Sequence, residues 1–270
     1  MPHKPRKSDH GLHVFAPAKV NLTLHVTGRR ADGYHLLDSL VAFADVGDDL
    51  YLSPGRGLTV TGPFAAGVPT DDRNLILRAL SLAGVERSVR LDKHLPHPGG
   101  IGGGSSDAAA ALRVLDVVPQ TADLLRLGAD LPVCLPAIAA RMRGIGEVVE
   151  PVRLSSLHAV LLHPGVACPT GAVFAALKTT DNPGHDSMPT EDGVIDWLAA
   201  QRNDLERPAI SVAPEIETAL AALRDAGARI ARMSGSGATC FGLFPTAQAA
   251  ADGALALDRP GWWVRACTLS

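Results

Sequence analysis

A glycine-rich segment gives the strongest chemical signal in the sequence. It reads, in order, Gly99, Gly100, Ile101, Gly102, Gly103, Gly104, Ser105, Ser106 and Asp107. Five glycines in six positions allow successive backbone N–H groups to point inward, and a helix that begins here adds partial positive charge. The segment therefore predicts a site for a chain of phosphates. We favour this over a flexible linker because an apolar strand pattern precedes it and an alanine-rich helix pattern follows it. It matches neither the Walker A sequence nor the spaced GxGxxG dinucleotide motif.

Three further segments carry groups suited to catalysis or binding. Lys19 and Asn21 are two residues apart on a predicted strand, so their side chains share one face. Asp130 lies in the tight apolar segment Gly-Ala-Asp-Leu-Pro, and a second glycine–serine turn runs from Met233 to Ala238. Taken one at a time, these segments are explained equally well as a surface lysine, a turn-forming aspartate and a hairpin.

Composition excludes several classes of protein. The chain has 270 residues, 46% of them hydrophobic and 20% charged, with a formal net charge of −3. This is typical of a globular protein with one large or two modest domains. Binding to nucleic acid or to an anionic membrane is not predicted, because both need a basic surface. No apolar run reaches the roughly 18 residues of a membrane span, and no signal-peptide core is present, so we expect a cytoplasmic protein.

The elements that must position these groups follow from hydrophobic periodicity. Strand and helix patterns occur out of strict alternation, which indicates an α+β fold and not a doubly wound sheet. Residues 1–10 are polar, and we expect a disordered tail there. The rest of the first seventy residues reads as an antiparallel β region.

Helices are predicted from apolar residues at helical spacing. Residues 75–82 form a short helix that Asp71 or Asp72 caps. The helix after the glycine-rich segment has suitable capping residues in Ser105, Ser106 and Asp107. One amphipathic helix is predicted over residues 194–210 and another over 213–227.

Considered together, the motifs resemble those of the GHMP small-molecule kinase superfamily. They are APAKVNL near the N-terminus, GIGGGSSDAAAAL near residue 100, GADLP, and SGSGATCFGLF near the C-terminus, in that order. Within the superfamily, the segments Gly33-Tyr34-His35, RGIGE, NDLE and MSGSGATCFG resemble the branch that phosphorylates 4-diphosphocytidyl-2-C-methyl-D-erythritol. The resemblance covers nearly the whole chain after residue 13.

The resemblance implies a two-domain GHMP kinase fold of the α+β class, with the active site in the interdomain cleft. The N-terminal domain would span residues 11–154, with an ATP-binding loop at 96–107, and the C-terminal domain residues 155–270. ATP would be the co-substrate, with Mg²⁺, and its γ-phosphate would pass to the 2-hydroxyl of the acceptor in the non-mevalonate route to isoprenoid precursors. No dedicated metal motif is visible in the sequence, and we assign no metal ligand.

The resemblance also implies roles for single residues, with Lys19 and Asp130 matching the catalytic pair. A positioned carboxylate can accept the proton of an attacking hydroxyl. A nearby ammonium would keep that carboxylate ionised and offset charge on the transferred phosphoryl group. The glycine-rich segment would hold the triphosphate, with Lys93 and Pro96 beside the adenosine. The positions that match the acceptor side are Asn21, Tyr34, His35, Thr170 and Phe174, of which Phe174 would stack on the cytosine.

Two other functions stay open at this point. Another GHMP kinase, acting on mevalonate, phosphomevalonate, homoserine or a sugar, would share most motifs, although Gly-Tyr-His together with Phe174 favours a cytidine-bearing acceptor. A regulatory module that binds nucleotide without catalysis would keep the glycine-rich segment, but Lys19 and Asp130 argue against it. The sequence does not predict the oligomeric state.

Overall fold

The computed structural model describes residues 6–8, 11–189 and 193–270. Of the expected disordered tail at residues 1–10, residues 6–8 instead form a short strand that pairs antiparallel with the strand beginning at Gly11, and the other residues lie outside the described ones. The strands are β1 (Arg6–Ser8), β2 (Gly11–Asn21), β3 (His25–Arg29), β4 (His35–Ser53), β5 (Gly57–Thr61), β6 (Ser88–Asp92), β7 (Ala140–Gly144), β8 (Val148–Pro151), β9 (Leu157–His163), β10 (Ile230–Met233), β11 (Cys240–Phe244) and β12 (Trp263–Leu269). The helices are α1 (Leu75–Leu82), α2 (Gly103–Val114), α3 (Thr121–Leu127), α4 (Leu131–Cys134), α5 (Thr170–Ala175), α6 (Val194–Ala200), α7 (Glu206–Val212), α8 (Glu215–Asp225) and α9 (Ala247–Ala256). This mixed order confirms the α+β class.

The chain forms two compact units. Unit 1 comprises residues 1–18, 47–97 and 102–137, and unit 2 comprises residues 19–46, 98–101 and 138–270. The chain passes from one unit to the other within β2, within β4, just before and within the glycine-rich segment, and after Ala137. The domain boundary expected between residues 154 and 155 stays a prediction. Within the described part of the chain, no helix combines the length and apolarity needed to cross a bilayer.

Unit 1 packs helices on a small mixed sheet. The second half of β4 pairs antiparallel with β6, and β5 pairs parallel with β6. Parallel neighbours need a crossover connection, which α1 supplies between β5 and β6. The parallel pairing of β5 with β6 differs from the antiparallel region predicted for the first seventy residues. The prediction missed it because β6, the partner of β5, lies beyond residue 70. Apolar residues of these strands, of β2 and of α1 and α2 form the core: Ala16, Leu50, Leu52, Leu58, Ile76, Leu80, Val89, Leu91, Ala110 and Ala111.

Unit 2 is built on antiparallel strands. In one group β9 lies between β11 and β12, and β10 pairs with β11. In the other, the first half of β4 lies between β3 and β7, and β8 pairs with β7. The predicted helix over 213–227 is confirmed as α8, whose buried Ile216, Ala219, Leu220 and Leu223 follow helical spacing. It packs in a core with Val160, Leu162 and other residues of the unit.

Three details of the predicted helices are wrong. The N-cap of α1 is Asn74, whose side chain accepts from Ile76 N, whereas Asp71 accepts from Arg73 instead of capping the helix. Gly102 is the N-cap of α2, in a left-handed conformation that suits glycine, so the predicted capping residues lie inside the helix. The helix predicted over residues 194–210 is two helices, α6 and α7, because Gln201 turns to an extended backbone between them.

Candidate active site

Three of the sequence motifs meet in unit 2. The N–H of Lys19 donates to the carbonyl of Ile101 at 3.0 Å. The N–H of Asn21 donates to Ser234 Oγ at 3.0 Å, and that hydroxyl donates to the carbonyl of Gly100, also at 3.0 Å. The strand with the predicted catalytic lysine, the start of the glycine-rich segment and the second glycine–serine turn are therefore hydrogen-bonded to one another.

The two glycine turns approach so closely that side chains are excluded. Gly100 has a φ of +71°, and a Cβ there would lie 2.5 Å from the carbonyl oxygen of Gly237 and 2.6 Å from that of Ser234. Gly235 has a φ of +57°, and its Cβ would lie 2.8 Å from the carbonyl oxygen of Gly100. Since positive φ and a missing Cβ are both required, these glycines set the shape of the turns.

Asn203 supports the second turn from the other side. Its Nδ2 donates to the carbonyls of Met233 and Gly235 at 2.8 Å each, and its Oδ1 accepts from Leu205 N at 2.9 Å. Glu206 Oε2 accepts from Met233 N at 2.8 Å. The NDLE segment, for which no separate role was predicted, therefore holds the turn that contacts Asn21 and Gly100.

Arg232 is a buried support that the sequence did not reveal. It donates to the carbonyls of Leu22 (2.7 Å), Leu198 (2.8 Å) and Gln201 (2.7 Å). Burial lowers the pKa of Arg232 to about 10, so it stays charged at neutral pH. Its partners are backbone carbonyls far away in the sequence, and no residue pattern points to them.

Asn21 presents an unsatisfied acceptor. The residue is 1% exposed, its Nδ2 donates to Ser39 Oγ at 2.8 Å, and Ser39 Oγ donates to the carbonyl of Thr23. Among the described residues, Asn21 Oδ1 has no hydrogen-bond partner. A buried acceptor without a donor costs free energy, and a ligand hydroxyl would relieve that cost.

In unit 1 the glycine-rich segment becomes the first turn of α2. Ser106 N donates to the carbonyl of Gly102 at 2.8 Å, and Ser106 Oγ donates to the carbonyl of Pro17 at 2.6 Å. Gly104 is exposed and Ser105 partly so. The first N–H groups of a helix have no acceptor within it, so this turn offers donors and partial positive charge to an anion.

The two residues expected beside the adenosine are both buried. Pro96 follows Leu95 in the connection to the glycine-rich segment. Lys93 is 2% exposed, and its ammonium donates to Asp48 and Asp107. Their predicted contact with the nucleoside stays a prediction.

The predicted catalytic residues lie on well-defined elements. Lys19 is in β2 and is 3% exposed. Asp130 is the residue before α4, is partly exposed, and its carbonyl accepts from Cys134 N at 3.0 Å. Lys19 belongs to unit 2 and Asp130 to unit 1, and their catalytic pairing stays a prediction.

On the expected acceptor side, unit 2 brings two aromatic rings together. His35 stacks on Phe174 with centroids 4.6 Å apart and the ring planes at 23°. Burial and the charge of Arg29 lower the pKa of His35, so the ring is neutral at pH 7. The Thr170 hydroxyl is 2.8 Å from Ser236 Oγ, which belongs to the second glycine–serine turn. Tyr34, in contrast, is 58% exposed.

A buried ion cluster, missed in the sequence, lies on the same strands. Arg141 Nε and Nη2 donate to Asp38 Oδ1 and Oδ2 at 2.8 and 2.6 Å, and His185 N donates to Oδ2 at 3.0 Å. Burial acts to raise the pKa of Asp38, but the hydrogen bonds from Arg141 and His185 outweigh it and hold that pKa below its ordinary value. Burial lowers the pKa of His185 to about 4 against the opposing charge of Asp38. The neutral imidazole Nε2 is 2.7 Å from Thr23 Oγ1. The cluster therefore holds His185, in the segment after α5, against β7 and against β4, the strand that begins at His35.

Comparison with known proteins agrees with these features. Residues 194–261 match the family described as GHMP kinases C terminal. The 4-diphosphocytidyl-2-C-methyl-D-erythritol kinase of Paracoccus denitrificans is 53% identical over 263 residues, which cover 94% of this chain and 96% of the relative. The kinase of the same name from Dinoroseobacter shibae is 56% identical over 265 residues, covering 93% and 92%. A crystal structure of 4-(cytidine 5'-diphospho)-2C-methyl-D-erythritol kinase superposes with a TM-score of 0.81 at 36% identity, over 96% of this chain and 99% of that one. The chain therefore belongs to the 4-diphosphocytidyl-2-C-methyl-D-erythritol kinase family, whose members are GHMP kinases and phosphotransferases with an alcohol group as acceptor.

Proposed function

We propose that the protein transfers the γ-phosphoryl group of ATP to the 2-hydroxyl of 4-diphosphocytidyl-2-C-methyl-D-erythritol, releasing ADP. One observation supports this proposal above all: hydrogen bonds join the strand of Lys19 and Asn21, the glycine-rich segment and the turn at Ser234. Phosphoryl transfer depends mainly on positioning and charge stabilisation, and this arrangement joins the elements that would supply both. The names of the relatives support the choice of acceptor.

The triphosphate is proposed to bind at the glycine-rich segment. The first turn of α2 offers N–H donors and the positive end of the helix dipole, as anion sites at helix N-termini do. Mg²⁺ would enter with ATP, and when bound it neutralises charge on the phosphates. Ser105, on the first turn of α2 and partly exposed, is a hydroxyl suited to meet the ion. The described residues contain no group of three His, Cys, Asp or Glu side chains placed to hold a metal, so most oxygen ligands would come from the phosphates and water.

Asp130 is proposed as the general base and Lys19 as its positive partner. A carboxylate before a short apolar helix, partly open to solvent, can accept the proton that leaves the attacking hydroxyl. The Lys19 ammonium, a compact point charge, would orient the carboxylate and offset negative charge on the transferred phosphoryl group.

The acceptor side is proposed to lie along Asn21, His35 and Phe174. The unsatisfied Asn21 Oδ1 accepts a hydrogen bond from an acceptor hydroxyl, and the stacked rings of His35 and Phe174 offer a face for a planar base. Tyr34, exposed beside His35, and Thr170 complete this side. Mevalonate and homoserine carry no ring, so they gain nothing from these aromatic residues.

The experiment is a coupled ADP-release assay across acceptors. The cytidine diphosphate compound should give acceptor-dependent turnover, whereas mevalonate, phosphomevalonate, homoserine and a sugar should not. Turnover with mevalonate and none with the cytidine compound contradicts the proposed acceptor. ATP binding without turnover on any acceptor contradicts the kinase function altogether.

A further inference from the structure

A buried ion triad lies beneath the phosphate-binding turn and has no part in the chemistry described so far. We propose that Lys93 is a positioning residue: its ammonium, shared between Asp48 and Asp107, fixes the first turn of α2 for phosphate binding and does not touch the nucleotide. This inference rests on the proposed binding of ATP at the glycine-rich segment.

The geometry of the triad leaves the ammonium no freedom. Lys93 Nζ donates to Asp107 Oδ2 at 2.8 Å and also to Asp48 Oδ2. The three side chains are 3%, 3% and 0% exposed. If the ammonium turned outward to a ligand, it would leave two buried carboxylates without their counter-charge, which is strongly unfavourable.

The triad ties the helix start to the sheet of unit 1. Asp48 Oδ1 accepts from the N–H groups of His94 and Leu95 at 2.6 and 2.8 Å, which fixes the carboxylate from β4 against the chain that leaves β6. The N–H of Lys93 donates to the carbonyl of Thr61 at 2.7 Å, so the base of the lysine is also held. Asp107 is in the second turn of α2, and the ammonium is its link to these strands.

Gly103 shows how close the ammonium comes to the phosphate-binding turn. A Cβ on this first residue of α2 would lie 3.0 Å from Lys93 Nζ. The ammonium therefore packs directly under the backbone whose N–H groups would bind phosphate. A change in the lysine side chain would therefore move that backbone.

The electrostatics of the triad agree with a structural role for the ammonium. Burial acts to lower the pKa of Lys93, but Asp107 and Asp48 outweigh it and raise that pKa, so the lysine stays charged. Asp107 Oδ1 has no hydrogen-bond partner among the described residues, while Oδ2 accepts from Lys93, so the ammonium is what holds this carboxylate.

The test compares the binding of a non-hydrolysable ATP analogue and of adenosine, measured by calorimetry without acceptor. Lys93→Met should raise the Kd of the analogue at least tenfold and change that of adenosine less than twofold. Lys178→Met, which removes an exposed lysine outside the site, is the matched control and should change neither. An equal loss for adenosine and the analogue means that Lys93 contacts the nucleoside, and an unchanged Kd means that it positions nothing; either result overturns the proposal.

Two milder variants keep the test decisive if Lys93→Met does not fold. Asp48→Asn, at a fully buried position, should weaken the analogue severalfold. Asp107→Asn, which removes the ion pair with Lys93 and keeps the side-chain volume, should also weaken the analogue severalfold and change the Kd of adenosine less than twofold. If both variants bind the analogue as the wild type does, the proposal is wrong. Binding without acceptor turnover would contradict the proposed reaction while leaving this reading of the triad intact.

Discussion

Replacement of Asp38 by asparagine is the sharpest test of the ion cluster in unit 2. The carboxylate accepts three hydrogen bonds, two from Arg141 and one from His185, and its side chain is 7% exposed. Asparagine keeps the volume but turns one acceptor oxygen into a donor that faces other donors. Hydrogen bonds to a charged group contribute about 1.5–3 kcal/mol each, and removing one partner of a buried ion pair costs about 3–5 kcal/mol. Because Arg141 is 31% exposed and can reach water, we expect the lower end, about 3 kcal/mol.

Thermal and urea unfolding measure this loss directly. For a chain of this size, about 3 kcal/mol corresponds to a fall in Tm of roughly 6–12 °C. Asp32→Asn is the matched control: Asp32 also pairs with an arginine, Arg30, at 2.7 Å, but the two side chains are 46% and 45% exposed. An exposed pair of this kind contributes about 0–1 kcal/mol.

The pH dependence of the loss has a definite sign. The pKa of Asp38 in the folded protein is below its ordinary value of 3.8. The stabilisation is therefore fully present above pH 4 and is lost as the pH falls through the folded-state pKa. If Asp38→Asn and Asp32→Asn lower the Tm equally at pH 7, the cluster does not stabilise unit 2 as described.

Three further predictions address the histidine, the glycine turns and the general base. The pKa of His185 is lowered from 6.5 to about 4 in the folded state, so the free energy of unfolding should fall as the pH drops from 6.5 to 4. Urea titrations should show that His185→Gln flattens this pH dependence, and an unchanged slope would contradict the prediction. Gly100→Ala should lower kcat/KM for ATP more than tenfold, because the added Cβ meets two carbonyl oxygens. The control Gly84→Ala, at a φ of +64° but with open space around it, should lower the stability by about 1 kcal/mol and leave the activity unchanged. Equal kinetics for the two variants would refute the close approach at Gly100. Asp130→Asn should leave the Kd of ATP near normal and lower kcat by roughly 10² or more, and activity within a few-fold of the wild type would show that this carboxylate is not the base.

The sequence predicted the α+β class and the elements that carry strong local patterns. The glycine-rich segment was correctly placed between a strand and a helix, and α8 was predicted from its apolar spacing. These features depend on neighbouring residues, so sequence reasoning could find them.

Features that depend on distant partners were missed. Arg232 donates to carbonyls of Leu22 and Leu198, and Asp38 meets Arg141 and His185 only after the chain has folded. The cap of α1 was misassigned for a local reason, since a run of polar residues precedes the helix and backbone conformation selects Asn74 among them. The roles of Lys19 and Asp130 came from resemblance, since neither residue alone differs from an ordinary strand lysine or turn aspartate.

The position of the new phosphate in the product distinguishes transfer to the 2-hydroxyl from transfer to any other hydroxyl of the acceptor. Purified protein, ATP, Mg²⁺ and 4-diphosphocytidyl-2-C-methyl-D-erythritol are incubated together, and the product is examined by proton-coupled ³¹P NMR. Carbon 2 of the acceptor carries a methyl group and no hydrogen, so a phosphate on its oxygen has no proton three bonds away. We predict ADP and one new phosphomonoester signal without proton splitting. A split signal, which marks transfer to a hydroxyl on a carbon that bears hydrogen, or the absence of any new phosphomonoester, would contradict the account.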